Sequence, residues 1–386
     1  MNDHFVFNCR SENPNDATNL VRNQLLFSSV CLERKTSEML SLWKDIFLGL
    51  LVPNEASFET TKEGLNTRLS DLITMSAVQS KNGLAHGGHH YAMAHAASKL
   101  KELPTCVQRE KQSGISMVRL LNSIADDKAK ISDLLTTLSS MSRKLLKGSN
   151  IMDFSISATP QKSDAIVKQF EEFITNLPPM DTTPESLNSF DMSVSPSDKH
   201  TYITAPFPVH FSSSVLRGTP SYTHPDAAPL RVLSRLLSSK YLHTEIREKG
   251  GAYGGGCAAS PTSGVITFYS YRDPNFERTL DVFNSSNEWI QKGSFTNTDV
   301  DEAKLNVFKE LDKPVLPGSR GMRLYLSGIT DEQFEEHRRL LRNVTFADVQ
   351  RVSEHYLGSS REMSFSTTMG PESTKCPSYV KVEPLF

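Results

Sequence analysis

The segment Leu242 to Gly256, LHTEIREKGGAYGGG, leaves its backbone little choice. Ahead of it, Leu230, Leu233, Leu236, Leu237 and Tyr241 recur at the three- and four-residue intervals of one buried helix face. Gly250 and Gly251 must end that helix, because glycine takes the left-handed C-cap conformation without steric cost. Arg247 and Lys249 suit the negative end of the helix dipole. A second run, Gly254 to Gly256, enters a strand pattern that continues through Val265 to Tyr271. Glycine inside a strand gives up packing and marks either an irregular bend or a close approach of other backbone. Two readings fit: an awkward hairpin, or bare backbone open to a ligand, with a fixed cation (Arg247) and a phenol (Tyr253) beside it.

Two nucleotide-binding readings fail on context. Gly254-Gly255-Gly256-Cys257-Ala258-Ala259 fits a G-x-G-x-x-A string. A dinucleotide site needs a strand before the glycines and a helix after them, whereas here a helix precedes and Pro261 and Gly264 follow. A phosphate-cradling P-loop would end in Gly-Lys-Ser/Thr, and no such tripeptide follows.

The chain is helix-rich first and mixed later. Leu40, Trp43, Phe47, Leu50 and Leu51 give one amphipathic helix, residues 57–80 a second and 91–100 a third. Pro104 interrupts, and the polar-leucine spacing of residues 117–146 predicts further helix. Residues 151–158 alternate as a strand should, and Pro160 opens a helix reaching Leu177. Residues 178–199, rich in Pro, Ser, Thr and Asp, read as a linker. Beyond it, residues 202–216 predict a strand bent at its prolines. Strands at 252–259 and 265–271, helices at 275–292, 297–311, 331–342 and 347–356, and a strand at 363–368 follow. The expected class is α+β, with a helical first region at 1–177, the linker at 178–199 and an α+β domain at 200–386. The first region shows one strand for many helices, which leaves a sheet short of partners.

Apolar content of 38% and a formal charge of −2 over 386 residues predict a soluble globular chain long enough for two cores. No clustered basic footprint calls for nucleic acid or a membrane surface; Arg143, Lys144 and Lys147 make a short solvated face. Five scattered cysteines, with no C-x-x-C pair, predict neither a disulfide framework nor a structural zinc site. No apolar run approaches the roughly eighteen residues of a membrane helix. Residues 1–7 carry neither an apolar signal core nor an Arg-rich transit pattern.

IREKGGAYGGG, followed by ITFYSYRDPN (Ile266 to Asn275), closely resembles the presequence protease and falcilysin branch of the pitrilysin-type zinc metalloproteases. LLFSSVCLER (Leu25 to Arg34), LWKDIF (Leu42 to Phe47), GHHYAMAHAASKL (Gly88 to Leu100), FSISATPQ (Phe154 to Gln161), APFPVHF (Ala205 to Phe211), DEAKLNVF (Asp301 to Phe308) and HYLG (His355 to Gly358) look like that family in the same order. The resemblance implies two homologous halves of two α+β domains each, closing around a peptide chamber, with this chain covering the C-terminal, zinc-free half and its first domain truncated at the N-terminus. It further implies that Arg247 and Tyr253 reach a peptide carbonyl near the zinc, that Gly254 and Gly255 border the substrate, and that the compartment is the mitochondrial matrix.

The family's zinc motif, His-x-x-Glu-His, lies in the N-terminal half and is missing here. The nearest string, His86-Gly87-Gly88-His89-His90, has His89 where the general-base glutamate belongs. His86 and His90 keep ligand spacing, but two glycines between them predict a loop leading into a helix, without metal. The expectation is therefore no cofactor in this chain, a zinc in a separate N-terminal half as partner, unstructured peptides as substrate, and no hydrolysis by this chain alone. The alternative is a non-catalytic peptide-binding or assembly protein of the same descent.

Overall fold

The computed structural model describes residues 4–11, 21–51, 55–100, 103–125, 127–147, 154–176, 199–358, 364–372 and 381–386. Strands β1 (His4–Ser11) and β2 (Val21–Ser28) form an antiparallel pair of their own. Helices α1 (Thr36–Leu51), α2 (Glu55–Ser98), α3 (Pro104–Ser113), α4 (Ile115–Ala125), α5 (Lys128–Lys147) and α6 (Ser163–Thr175) follow. Next come β3 (His200–Thr204), β4 (His210–Arg217) and α7 (Ala227–Leu236), which continues as a π-helix over Leu237–Glu248. Then come β5 (Gly254–Ser260), β6 (Val265–Asp273), α8 (Phe276–Asn284), α9 (Ser286–Gln291), α10 (Asn297–Leu311), α11 (Met322–Ser327), α12 (Asp331–Arg342), α13 (Phe346–Ser353), β7 (Ser364–Gly370) and β8 (Lys381–Pro384).

Six of the strands make one mixed sheet in the order β5-β6-β4-β7-β3-β8, antiparallel from β5 to β7 and parallel from β7 to β8. Alternation along the strands feeds two cores. Leu216, Ile266 and Phe268 pack under α7 and its π-helical continuation, with Leu230, Leu233, Leu237 and Ile246. Residues of opposite parity face the other way: Phe211 and Met369 meet Leu84 and Ala92 of α2 and Ile115 and Val118 of α4, while Val215 and Val265 meet Ala96 and Leu100. The sheet is thus a middle layer between two helical layers, and one of those layers comes from before residue 178. Three helices on the far side start from capping boxes, Thr296 with Asp299, Thr330 with Gln333 and Thr345 with Asp348.

Several expectations need correction. The two helices expected at 57–80 and 91–100 are one helix, α2, and His86 to His90 lie inside it instead of in a loop; only Gly87 departs from helical dihedrals (φ −127°, ψ 24°), as a kink. Packing overrides propensity here: a Cβ on Gly88 would lie 2.5 Å from the Phe211 ring, so the glycine lets helix and sheet approach. Residues 154–158 form no strand, and 151–153 lie outside the described residues. Their alternation serves a different core, since Phe154, Ile156 and Ala158 pack among Met39, Leu40, Ile166, Phe170 and Phe173 of α1 and α6. The helix expected at 275–292 breaks at Ser285, and β1, β2, β8 and α11 were not foreseen. Most of the linker expectation, residues 178–198, falls outside the described residues.

Candidate functional site

The site is built at the β5 edge, where the π-helix on one face and the α2 kink on the other converge. Gly251 (φ 78°) donates to the Arg247 carbonyl at 3.0 Å and Ala252 to the Ile246 carbonyl at 3.1 Å, closing the helix as the sequence predicts. Arg278 of α8 locks this end: Nη1 donates to the Glu245 carbonyl and Nη2 to Glu245 Oε2 at 3.0 Å, while Lys249 Nζ reaches Glu245 Oε1 at 2.6 Å. A Cβ on Gly250 would stand 2.5 Å from the Ile246 carbonyl oxygen and 2.9 Å from Arg278 Nη1, so only glycine admits the clamp.

This closed turn brings Arg247 and Tyr253 together. The Arg247 guanidinium carbon is 5.6 Å from the Tyr253 ring centroid, within cation–π range, and both side chains are exposed, Tyr253 by 58%. Tyr253 stands edge-to-face on Tyr271 at 5.1 Å, and its backbone N–H donates to the Arg272 carbonyl at 3.2 Å. Below it, His89 of α2 packs on Tyr271 (5.1 Å) and Tyr269 (5.4 Å). Burial first, and the neighbouring His90 second, hold the His89 imidazole down at about 4, so it is neutral at physiological pH.

The glycine run acquires a physical account. On β5, a Cβ on Gly254 would meet Tyr271 at 3.3 Å and one on Gly256 would meet Tyr269 at 2.9 Å. Both tyrosine rings therefore lie against bare backbone. Gly255 faces the other way, its virtual Cβ 2.9 Å from the Tyr269 carbonyl. Gly254 and Gly255 stay partly exposed, while Ser238 of the π-helix caps the strand edge further on, accepting from Cys257 N–H at 2.8 Å and donating to its carbonyl at 3.1 Å. The chemistry available is donation: guanidinium and phenol N–H and O–H groups beside accessible backbone.

The His86 to His90 string does not fit a zinc ion. The His89 and His90 rings lie 4.0 Å apart, His89 is taken up by the tyrosines, and among the described residues no group of three or more His, Cys, Asp or Glu side chains converges. No reaction step runs through a metal at this string. Sequence reasoning placed Arg247, Tyr253, Gly254 and Gly255, which the structure sets side by side, but it gave Arg272, Arg278, Tyr271 and His89 no place at this edge. Their signal is three-dimensional, apart from the tyrosine parity at 269 and 271 opposite glycines 256 and 254.

Comparison with known proteins agrees with this architecture. Residues 215–364 match the family model of the PreP C-terminal domain, and residues 6–124 match a second model, that of a peptidase-associated region. The mitochondrial presequence protease of Danio rerio is 37% identical over 384 residues, 94% of this chain and 36% of that protein. This chain belongs to the presequence protease family. The Saccharomyces cerevisiae presequence protease is 32% identical over 89% of this chain and 34% of its own length, so the chain spans about a third of these relatives. A conserved Enterococcus faecalis protein shares the fold at TM-score 0.57 and 13% identity, covering 97% of this chain and 83% of that one. Pitrilysin does so at TM-score 0.55 and 14% identity, covering 91% of this chain and 36% of its own. The fold is thus that of pitrilysin-type peptidase domains, α+β in class. Among the described residues, no helix of this presequence protease relative is long and apolar enough to cross a membrane.

Proposed function

We propose that this chain supplies the zinc-free wall of a presequence-protease peptide chamber, in which Arg247 and Tyr253 donate hydrogen bonds to a carbonyl of the bound peptide and Gly254 and Gly255 let the peptide backbone come close. The observation that carries this reading is the exposed Arg247 guanidinium, its carbon 5.6 Å from the ring centroid of the exposed Tyr253, on a turn locked by Arg278 and Glu245. Preorganised donors of this kind stabilise developing oxyanion charge in acyl-transfer sites. A zinc ion held by a separate N-terminal half, when bound, would supply the activated water. Unstructured peptides, mitochondrial targeting peptides among them, are the proposed substrates, and the mitochondrial matrix the compartment. A second reading, peptide binding without cleavage, draws on the same donor set, because the described residues offer binding and orientation and no converging metal ligands.

The test is reconstitution with the N-terminal half of a relative, in trans or fused. Tyr253→Phe removes only a hydroxyl from an exposed ring, and should lower turnover roughly 10²- to 10³-fold with peptide affinity nearly unchanged. Arg247→Lys should also lower turnover, since a point ammonium cannot reproduce the guanidinium fork. Wild-type rates in both variants would reduce the pair to structure. Peptide binding with no cleavage by the reconstituted wild type would favour the second reading.

A further inference from the structure

Arg272 occupies a backbone position that arginine does not favour. Alone among the described non-glycine residues it has a left-handed φ, 51°. The cause is a β-bulge: on β4, His210 faces Asp273 and Phe211 faces Tyr271, so Arg272 is the extra residue on β6. Backbone preference alone would put glycine or asparagine there. The bulge turns the side chain outward at the β5 edge, where its guanidinium carbon lies 5.8 Å from the Tyr253 ring centroid and 6.0 Å from that of Tyr271. Two exposed guanidiniums, Arg247 and Arg272, thus reach one exposed phenol ring, and neither has a carboxylate partner among the described residues. A strained position spent on an unpaired cation beside a binding edge is an outlier that points to function.

We propose that Arg272 is a specificity-determining residue of this edge, which takes a carboxylate of the bound peptide, either an acidic side chain or the C-terminal carboxylate, beside the carbonyl held by Arg247 and Tyr253. Guanidinium suits that group because its N–H fork matches the two carboxylate oxygens. The inference rests on the proposal that peptides bind at this edge, and adds a preference for a carboxylate near Tyr253.

Fluorescence anisotropy of the full 386-residue chain tests it, with four dye-labelled extended peptides: one sequence bearing Glu or Gln centrally, each with a free or amidated C-terminus. Wild type should bind a carboxylate-bearing probe about three- to tenfold more tightly than its neutral counterpart, the preference shrinking with salt. The Glu/Gln and acid/amide comparisons identify which carboxylate is read. Arg272→Gly takes the φ of 51° without strain, so a purely structural residue would leave stability and preference intact; the expected result is intact melting with the preference lost. Arg272→Lys should keep part of it. Arg272→Asn, which also tolerates this conformation, gives the same readout if the glycine variant is poorly folded. An undiminished preference in Arg272→Gly or Arg272→Asn, or equal binding of all four probes by wild type, overturns the assignment of Arg272 alone. Binding of none of the probes by wild type removes the peptide-binding reading itself, and this one with it.

Discussion

Glycine is where residue-level physics speaks most clearly in this chain. Gly250 tolerates no Cβ because the Ile246 carbonyl and Arg278 fill its place, so Gly250→Ala must shift the turn that carries Arg247. We expect it to cost about 1–3 kcal/mol, as overpacking does, and to weaken peptide binding; urea denaturation and anisotropy check both. A variant as stable as wild type, with unchanged affinity, would mean that the clamp is not rigid. The role of glycine at 250 and 251 was legible in the sequence because helix ends have local rules. Arg272 was not, because its left-handed backbone depends on how β6 registers against β4, which no local pattern encodes.

At the scale of elements, long-range packing decided what local propensity left open. The two glycines at 87 and 88 argue against helix by propensity, yet α2 runs through them because Gly88 lies against Phe211. Glu110, at the end of α3, is a similar case of context. It is buried, one oxygen accepts from Ser116 N–H at 3.0 Å and from Ser116 Oγ at 3.2 Å, the other has no partner, and burial pushes its carboxyl up to about 7 from an ordinary 4.5. The folded state therefore holds this proton after the unfolded chain has released it. The stabilisation is present below about pH 4.5 and lost as pH rises through 7, of order 3 kcal/mol by the size of the shift. Glu110→Gln, which stays neutral, should raise the melting temperature at pH 8 and change it much less at pH 5. An equal shift at both values would show that the carboxyl is not titrating in the fold.

The whole molecule adds two expectations. Because α2 and α4 roof the sheet that α7 floors, the two sequence regions share packing, and heating should unfold them in one transition. Leu84→Ala, at a residue of α2 that is 1% exposed where the helix meets the sheet, should cost about 2–5 kcal/mol and lower that single transition without splitting it. Two separate calorimetric peaks in wild type would show independent domains. Burial also holds His89, His200 and His337 at about 4 and His95 at about 3. With folded values below the ordinary 6.5, the unfolded chain takes up protons first, so stability should fall as pH drops from about 6.5 towards 4. Glu110 contributes with the opposite sign over the same range, so thermal melts of the Glu110→Gln variant at fixed ionic strength give the slope, and a flat profile there would contradict the burial of these rings.

By itself the sequence determined the helix stop at Gly250 and Gly251, the α+β alternation after residue 200, and Arg247 and Tyr253 as neighbours, since all three follow from periodicity and backbone chemistry over a few residues. The tertiary structure alone decided that α2 passes unbroken through His86 to His90, that residues 154–158 line a helical core, and that Tyr271, His89 and Arg272 complete the edge around Tyr253. These depend on contacts between residues far apart in the chain, whose energies of packing and register outweigh the local preferences that a sequence displays.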